Sequence, residues 1–451
     1  MKPRMDRRQL LALLGGAMAL PARAGMAPAV RMAALDLRTR SLVNGLQTVF
    51  VRDRGSATAA VQVWYRVGGK DDPVGRSGFA HLFEHMMFKS TRHMPNEMFD
   101  RLTEDVGGNN NAYTAEDVTV YQNDIPVNHV ERLLWAEAER MVHLNVDQAN
   151  LDSERAVVQE ELRQRVLADP YGRLFNALPQ HGFEVHPYRR PVVGSIEDLA
   201  AATLDDVRRF HATYYRPDNA LLVVAGDLEA TQLDAWVDRY FGPLQRPSQP
   251  VPRVQAVEPP RRADARMSLH GPSVPLPALA LLWKGPPATH PDRYALSVAQ
   301  ALLSAGESSR LNETLVYRAQ AAQAAGFGAE LYADAGLLLA YAIAASGKEL
   351  ATLERLLLAE ITRLATQPIG AAELDKVRAR LLTSALASRQ TPAGKAAAVG
   401  QALLVRGDAR AADRELPALQ AVTGADVQRV LRRWVLGTKR MTLHYTKGAG
   451  A

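Results

Sequence analysis

Cysteine is absent from the 451-residue chain. No disulfide can staple this protein and no thiolate can bind a metal, so any metal site must be built from imidazole and carboxylate. Beyond the N-terminus there is also no apolar run long enough for a membrane-spanning helix. The one candidate, Leu10 to Leu20, follows a basic start and ends at Ala22-Arg23-Ala24, a small-x-small cleavage pattern. Residues 1–24 therefore read as an export signal, and Asp6-Arg7-Arg8-Gln9-Leu10-Leu11 resembles the twin-arginine kind. The expected location is periplasmic, with no integral membrane segment after signal removal. A dominant charge is missing as well. Net charge is +6, but the first 24 residues hold five basic side chains against Asp6, a net +4, which leaves +2 for the rest. Composition gives no case for nucleic-acid binding.

Metal chemistry is carried by His81-Leu82-Phe83-Glu84-His85. On a helix, positions i and i+4 share a face, so both imidazoles can reach one ion. Glu84 sits beside the pair, close enough to orient a water without itself binding metal. This H-x-x-E-H order is that of the inverzincins. A mononuclear zinc site with an open position needs a third protein ligand. The acidic segment Leu151 to Arg163 supplies candidates, because Glu154 and Glu161 are seven apart, two helical turns, and share a face. One could bind metal while the other fixes a ligand histidine from behind. An ordinary solvated helix face with i,i+4 ion pairs has the same look.

Further motifs run through the chain in order. They are Gly78-Phe-Ala-His81-Leu-Phe-Glu84-His85, Gly107-Gly-Asn-Asn-Asn111-Ala112-Tyr-Thr114, Glu154-Arg-Ala-Val-Val-Gln-Glu160-Glu161, His186-Pro-Tyr188 and Tyr215-Arg-Pro-Asp-Asn219. Together they resemble the M16 (pitrilysin-type) zinc metallopeptidases, and within them the bacterial and mitochondrial-processing-peptidase branch. That resemblance implies one zinc ion per chain, held by His81, His85 and Glu161, with Glu84 as catalytic base and Glu154 behind a ligand. It passes over Glu160, which would point about 100° away on the same helix. It further implies that an edge strand through Asn111 and Ala112 pairs with the backbone of peptide substrates. The residues alone read Gly107 to Asn111 as a hairpin turn.

The mature chain breaks at Gly242-Pro243 through Pro260, where prolines exclude both helix and central strand. Residues 242–262 are the expected linker between an N-terminal domain at 36–241 and a C-terminal domain at 263–447. Strand-like runs at Thr48–Val51, Ala59–Tyr65, Asp117–Asn123 and Ala220–Ala225 interleave with helical periodicity at 128–143 and 148–166. The order recurs weakly. Thr203-Leu-Asp-Asp206-Val207 returns as Thr423-Gly-Ala-Asp426-Val427, and Leu151-Asp152 returns as Leu374-Asp375. That second offset, 223 residues, sets Val377 against Glu154 and Ser384 against Glu161. The expectation is a duplicated α+β fold with only the first copy bearing metal ligands; the resemblance implies that the two similar halves, each a sheet covered by helices, form a clamshell.

One departure from the family stands out. Self-sufficient members carry an Arg and a Tyr seven residues apart in the second half. In the register that fits best, those positions fall on Val316 and Gln323; Arg310 and Tyr317 have the right separation but are shifted by six residues. On the plain reading Arg310 pairs locally and Tyr317 packs in the core. The expected function is a zinc endopeptidase for unfolded or short peptides, its Arg/Tyr pair supplied by a homologous partner subunit, with a homodimer as the other arrangement. The alternatives are a non-catalytic scaffold subunit with a vestigial metal site, or a metal-carrying periplasmic binding protein, which would need no general base.

Overall fold

The computed structural model describes residues 31–448; the export-signal reading of residues 1–24 lies outside them. Two mixed sheets dominate. The first contains β1 (Leu37–Ser41), β2 (Gln47–Arg52), β3 (Thr58–Tyr65), β4 (Asn109–Thr114), β5 (Thr119–Pro126) and β6 (Ala220–Gly226), in the order β1-β2-β6-β3-β5-β4. The second contains β7 (Ala265–Gly271), β8 (Ala278–Gly285), β9 (Ala322–Leu331), β10 (Gly336–Ala344) and β11 (Met441–Lys447), in the order β7-β11-β8-β10-β9. In each, one parallel pair (β2 with β6, β11 with β7) sits beside antiparallel ones. The second sheet is the first without its β1 edge, so the α+β duplication expected from the weak repeat holds.

Among the helices of the described residues, those used below are α1 (Phe79–Met86), α2 (Val130–Val142), α3 (Gln148–Leu162), α4 (Gly172–Gly182), α5 (Leu204–Tyr214), α6 (Arg293–Ser304), α7 (Leu350–Thr366), α8 (Ala371–Ser388), α9 (Pro392–Arg406) and α10 (Gly424–Leu431). The recurring Thr-x-x-Asp segments start α5 and α10 as matched capping boxes. Among the described residues no helix is long and apolar enough to cross a membrane.

The core explains why the strands read as nearly continuous apolar runs. One face of β3, through Val61, Val63 and Tyr65, packs on the first half's own helices. Its other face, through Ala60 and Trp64, packs on Ala396, Val399 and Ala402 of α9, which comes from the second half. The second sheet is covered reciprocally: Ala280, Leu282 and Leu337 pack on Leu174 and Leu178 of α4. Both exchanged helices use a glycine at the contact. A Cβ on Gly400 would lie 2.4 Å from the Trp64 ring, and one on Gly182 would lie 2.5 Å from Leu337. Sheets buried on both faces lose the polar alternation of a half-exposed sheet.

The proline-rich stretch is irregular, as its composition requires, but it is strapped down. Pro247 and Gln249 carbonyls accept from Arg216, and Arg253 donates to the Arg66 carbonyl and to Asn219. Glu258 accepts three successive backbone N–H groups at 184–186 and pairs with Lys284.

Candidate metal centre

Helix α1 starts at Gly78, whose φ of 88° and closeness to the Val193 carbonyl exclude a side chain. Buried Asp72 accepts the N–H groups of Gly78 and Ala80, both at 2.8 Å, and fixes the helix entry. Phe79, Leu82, Phe83 and Met86 fill the core. Phe83 stacks on His211 and meets Phe210 and Tyr215. With that face anchored, His81 and His85 project toward α3 and Glu84 toward β4.

The three expected ligands come together. His81 Nε2 lies 3.7 Å, and His85 Nε2 3.5 Å, from the same oxygen of Glu161. Donors about 2.0–2.2 Å from a shared tetrahedral centre stand roughly 3.3–3.6 Å apart, so the set fits zinc and is too wide for hydrogen bonds among its members. The other Glu161 oxygen is held by Arg165 at 2.6 Å, which leaves one oxygen for the ion. Glu154 stands behind His85, 3.5 Å from its Nδ1, and is itself held by Lys89 at 2.6 Å and Ser153 at 3.2 Å. His81 has no such support; its Nδ1 is buried without a hydrogen bond, so packing sets that ring. Glu160 points away and pairs with Arg163 and Gln164.

Burial, followed by the charge of His85, pulls His81 down to about 4, which keeps the ring neutral as a ligand must be. Burial also acts downward on His85, but Glu154, Glu84 and Glu161 outweigh it and hold its pKa above the usual value. For Glu84 burial dominates and raises the carboxyl, while the Thr114 hydroxyl, donating at 2.6 Å, opposes the shift. A carboxyl raised in this way and facing the cleft is placed to take a proton and return it.

These groups line a cleft of about 600 Å³ whose far wall is β4, with Asn111, Ala112 and Thr114 on it. β4 is the outer strand of its sheet, and Gly107 with φ 78° supplies the turn before it. Turn and edge strand are thus both present. Thr114, Lys89 and Arg165 complete the site; Thr114 closes the Gly107 to Thr114 motif but had no role assigned to it, and Lys89 and Arg165 lie in no motif.

The shifted pair is elsewhere engaged. Arg310 forks onto Glu373 at 2.7 and 2.8 Å and approaches Glu360 at 3.7 Å, the local pairing expected of it. The core placement of Tyr317 is wrong: it is 51% exposed. The segment Asn312–Arg318 coils as a wider π-turn that turns Leu315 inward, leaving Tyr317 outside. Val316 packs partly against the second core.

The chain is similar to known proteins in both sequence and fold. Residues 47–195 match the family described as Insulinase (Peptidase family M16), and residues 201–381 match its Peptidase M16 inactive domain. The second match begins before β6, which still pairs within the first sheet. The chain is 32% identical over 341 residues to zinc protease PqqE of Helicobacter pylori, covering 75% of this chain and 77% of that one. It is 25% identical over 413 residues to a probable mitochondrial-processing peptidase subunit beta of Arabidopsis thaliana, covering 90% and 77%. A solved protease structure from Helicobacter pylori superposes with a TM-score of 0.88 at 27% identity, over 92% of this chain and all of that one. Likeness of this extent in both sequence and fold makes the protein a member of peptidase family M16.

Proposed function

We propose that the protein is a zinc-dependent endopeptidase, with His81, His85 and Glu161 holding one ion and Glu84 moving the proton. Zinc in this site would supply Lewis acidity, acidifying water at its open position and polarising a peptide carbonyl. The Glu84 carboxylate takes a proton from the attacking water and returns it to the leaving amine. Thr114 fixes which Glu84 oxygen faces the cleft. Glu154 fixes the His85 ring, and Arg165 restricts Glu161 to one free oxygen. An extended peptide adds to the open edge of β4 at Asn111 and Ala112, so main-chain bonds give affinity and many side chains are tolerated. The Ala112 N–H now donates to the Asn111 side chain at 2.8 Å, a bond that substrate would replace. Unfolded or short peptides suit such a strand-shaped site.

The observation that carries this reading is Glu84, buried, bonded to Thr114 and adjacent to three convergent donors. A vestigial scaffold subunit has no need to keep a raised carboxyl beside a complete ligand set. The engagement of Arg310 supports the further reading that a homologous subunit contributes an Arg/Tyr pair to the substrate. We assign residues 36–241 and 263–447 as the two domains, and the periplasm as the location on the strength of residues 1–24. Metal analysis together with cleavage of a quenched peptide is the test, for the chain alone and with a partner bearing the pair. Zinc content with partner-dependent cleavage is expected. Zinc without cleavage under either condition would sink the enzymatic reading, and full activity alone would sink the partner.

A further inference from the structure

A second set of three donors lies where no motif pointed. His93, Glu139 and His143 bring one ligand atom each within 4.8 Å of the others, the only such group among the described residues besides the candidate centre. Glu139 sits in the last turn of α2, its side chain only 5% exposed. His143 follows directly as the helix C-cap, and His93 comes from the segment after α1. Each Glu139 oxygen faces one imidazole: Oε1 is 2.9 Å from His93 Nδ1 and Oε2 is 2.7 Å from His143 Nδ1. Thr91 Oγ1 and the His93 N–H also donate to Oε1, at 3.0 and 3.1 Å. The carboxylate is therefore held in one orientation by groups that are not themselves donors to an ion. The two rings stand nearly perpendicular, 86° apart, and the His93 side chain is 56% exposed, which gives a route from solvent.

We propose that these residues form a second, independent site for a divalent first-row transition ion, chelated by both oxygens of Glu139 and by the two Nδ1 atoms. The spacing decides the kind of ion. Donors 2.7–2.9 Å apart and about 2.1 Å from a common centre subtend roughly 80–90°, not the tetrahedral angle. That is five- or six-coordinate geometry, its remaining positions open to water, and imidazole with carboxylate in that arrangement suits nickel or copper better than tetrahedral zinc. Binding requires each ring to carry its proton on Nε2, so that Nδ1, now engaged with Glu139, turns its lone pair to the ion.

The position gives the site a use. Thr91 bridges to Leu144, Arg92 N–H donates to the His143 carbonyl, and Asn145 bonds Ser90 and Thr91. The same segment continues to Asn96 and Glu97, which line the wall of the large cleft. An ion at His93, Glu139 and His143 would staple that wall to the end of α2.

The test uses tag-free, full-length protein carrying His81→Ala and His85→Ala, so that the candidate centre cannot contribute. Equilibrium dialysis against nickel should load one equivalent, and adding His93→Asn should remove it with an unchanged circular dichroism spectrum. His93 is exposed, so that variant should not threaten folding; Glu139→Gln, on the buried member, should also abolish loading. No nickel or copper retained by the His81→Ala/His85→Ala protein would overturn the proposal. So would an equivalent that survives His93→Asn, leaving the cluster a pair of histidine–carboxylate hydrogen bonds.

Discussion

The two halves share one sheet plan and one helix order, yet they treat the same location differently. In the first, α1 and α3 face each other across His81, His85, Glu154 and Glu161. In the second, α6 and α8 line a cleft of nearly the same size, about 520 Å³ against about 600 Å³, together with the end of the outer strand β9. There Ser384 stands at the place of Glu161, and buried Val377 at that of Glu154. Buried carboxylates and a neutral, poorly supported imidazole cost stability. The second half has replaced such groups with a small hydroxyl and an apolar side chain that the core accepts without partners. Groups that folding does not want, retained on one copy only, mark where chemistry is located.

The largest effect should come from abolishing the asymmetry. His81→Ala, His85→Ala and Glu161→Gln should each lose bound zinc and with it all peptide cleavage, measured by metal analysis and a quenched peptide. Glu160→Gln, one residue from Glu161 but turned to solvent, should keep both. If Glu160→Gln strips the metal and Glu161→Gln does not, the ligand register is wrong and the comparison with Ser384 fails with it.

Glu84→Gln comes next. It should retain zinc and fold but lose turnover by on the order of 10² or more, the scale of general acid–base loss. Near-normal cleavage would remove Glu84 from the chemistry and return weight to the scaffold reading.

A smaller effect belongs to Thr114→Val, which keeps the shape of β4 and deletes one hydroxyl. That hydroxyl donates to Glu84, and a hydrogen bond to the charged form lowers a carboxyl pKa. Its loss lets burial act unopposed, so Glu84 should rise further. Less of it is then ionised at a given pH, and the acid limb of the kcat profile should move to higher pH. Hydrogen bonds to charged groups are worth about 1.5–3 kcal/mol and 1.36 kcal/mol is one pKa unit, so a shift of about one unit is expected. An unmoved limb would mean that Thr114 only holds the strand.

The two halves also differ in how much of them the sequence made legible. Around His81 and His85 the signal is strong, because helical spacing alone places both rings on one face. Choosing Glu161 over Glu154 required the family resemblance, since either carboxylate sits on the right face and only the fold shows which reaches both Nε2 atoms. The roles of Thr114 and Lys89 were not legible because they depend on which strand edge and which helix end meet in space. The exchange of α4 and α9 left no periodic trace either: a strand buried on both faces looks the same whichever half supplies the cover. Tyr317 failed for a local reason, a π-turn that shifts the inward face by one position relative to an α-helix.

The last comparison asks whether the second half contributes any chemistry of its own, and Arg310 and Tyr317 are where it would show. Arg310 is forked onto Glu373 and close to Glu360, whose side chain is 4% exposed and also paired with Arg363. Removing the guanidinium would leave carboxylates with fewer compensating charges inside the protein. Breaking such a pair from one side costs about 3 kcal/mol. Arg310→Ala should therefore lower the denaturation midpoint clearly while leaving kcat and KM, measured well below that midpoint, within about twofold. Tyr317 has little to lose, since half of it already faces water, and Tyr317→Ala should stay within about 0.5 kcal/mol of the parent. The opposite pattern, stability kept and KM or kcat damaged in both variants, would mean that the pair leaves its present contacts to meet substrate. The partner subunit would then be unnecessary, and the second half would be a working part of the active site.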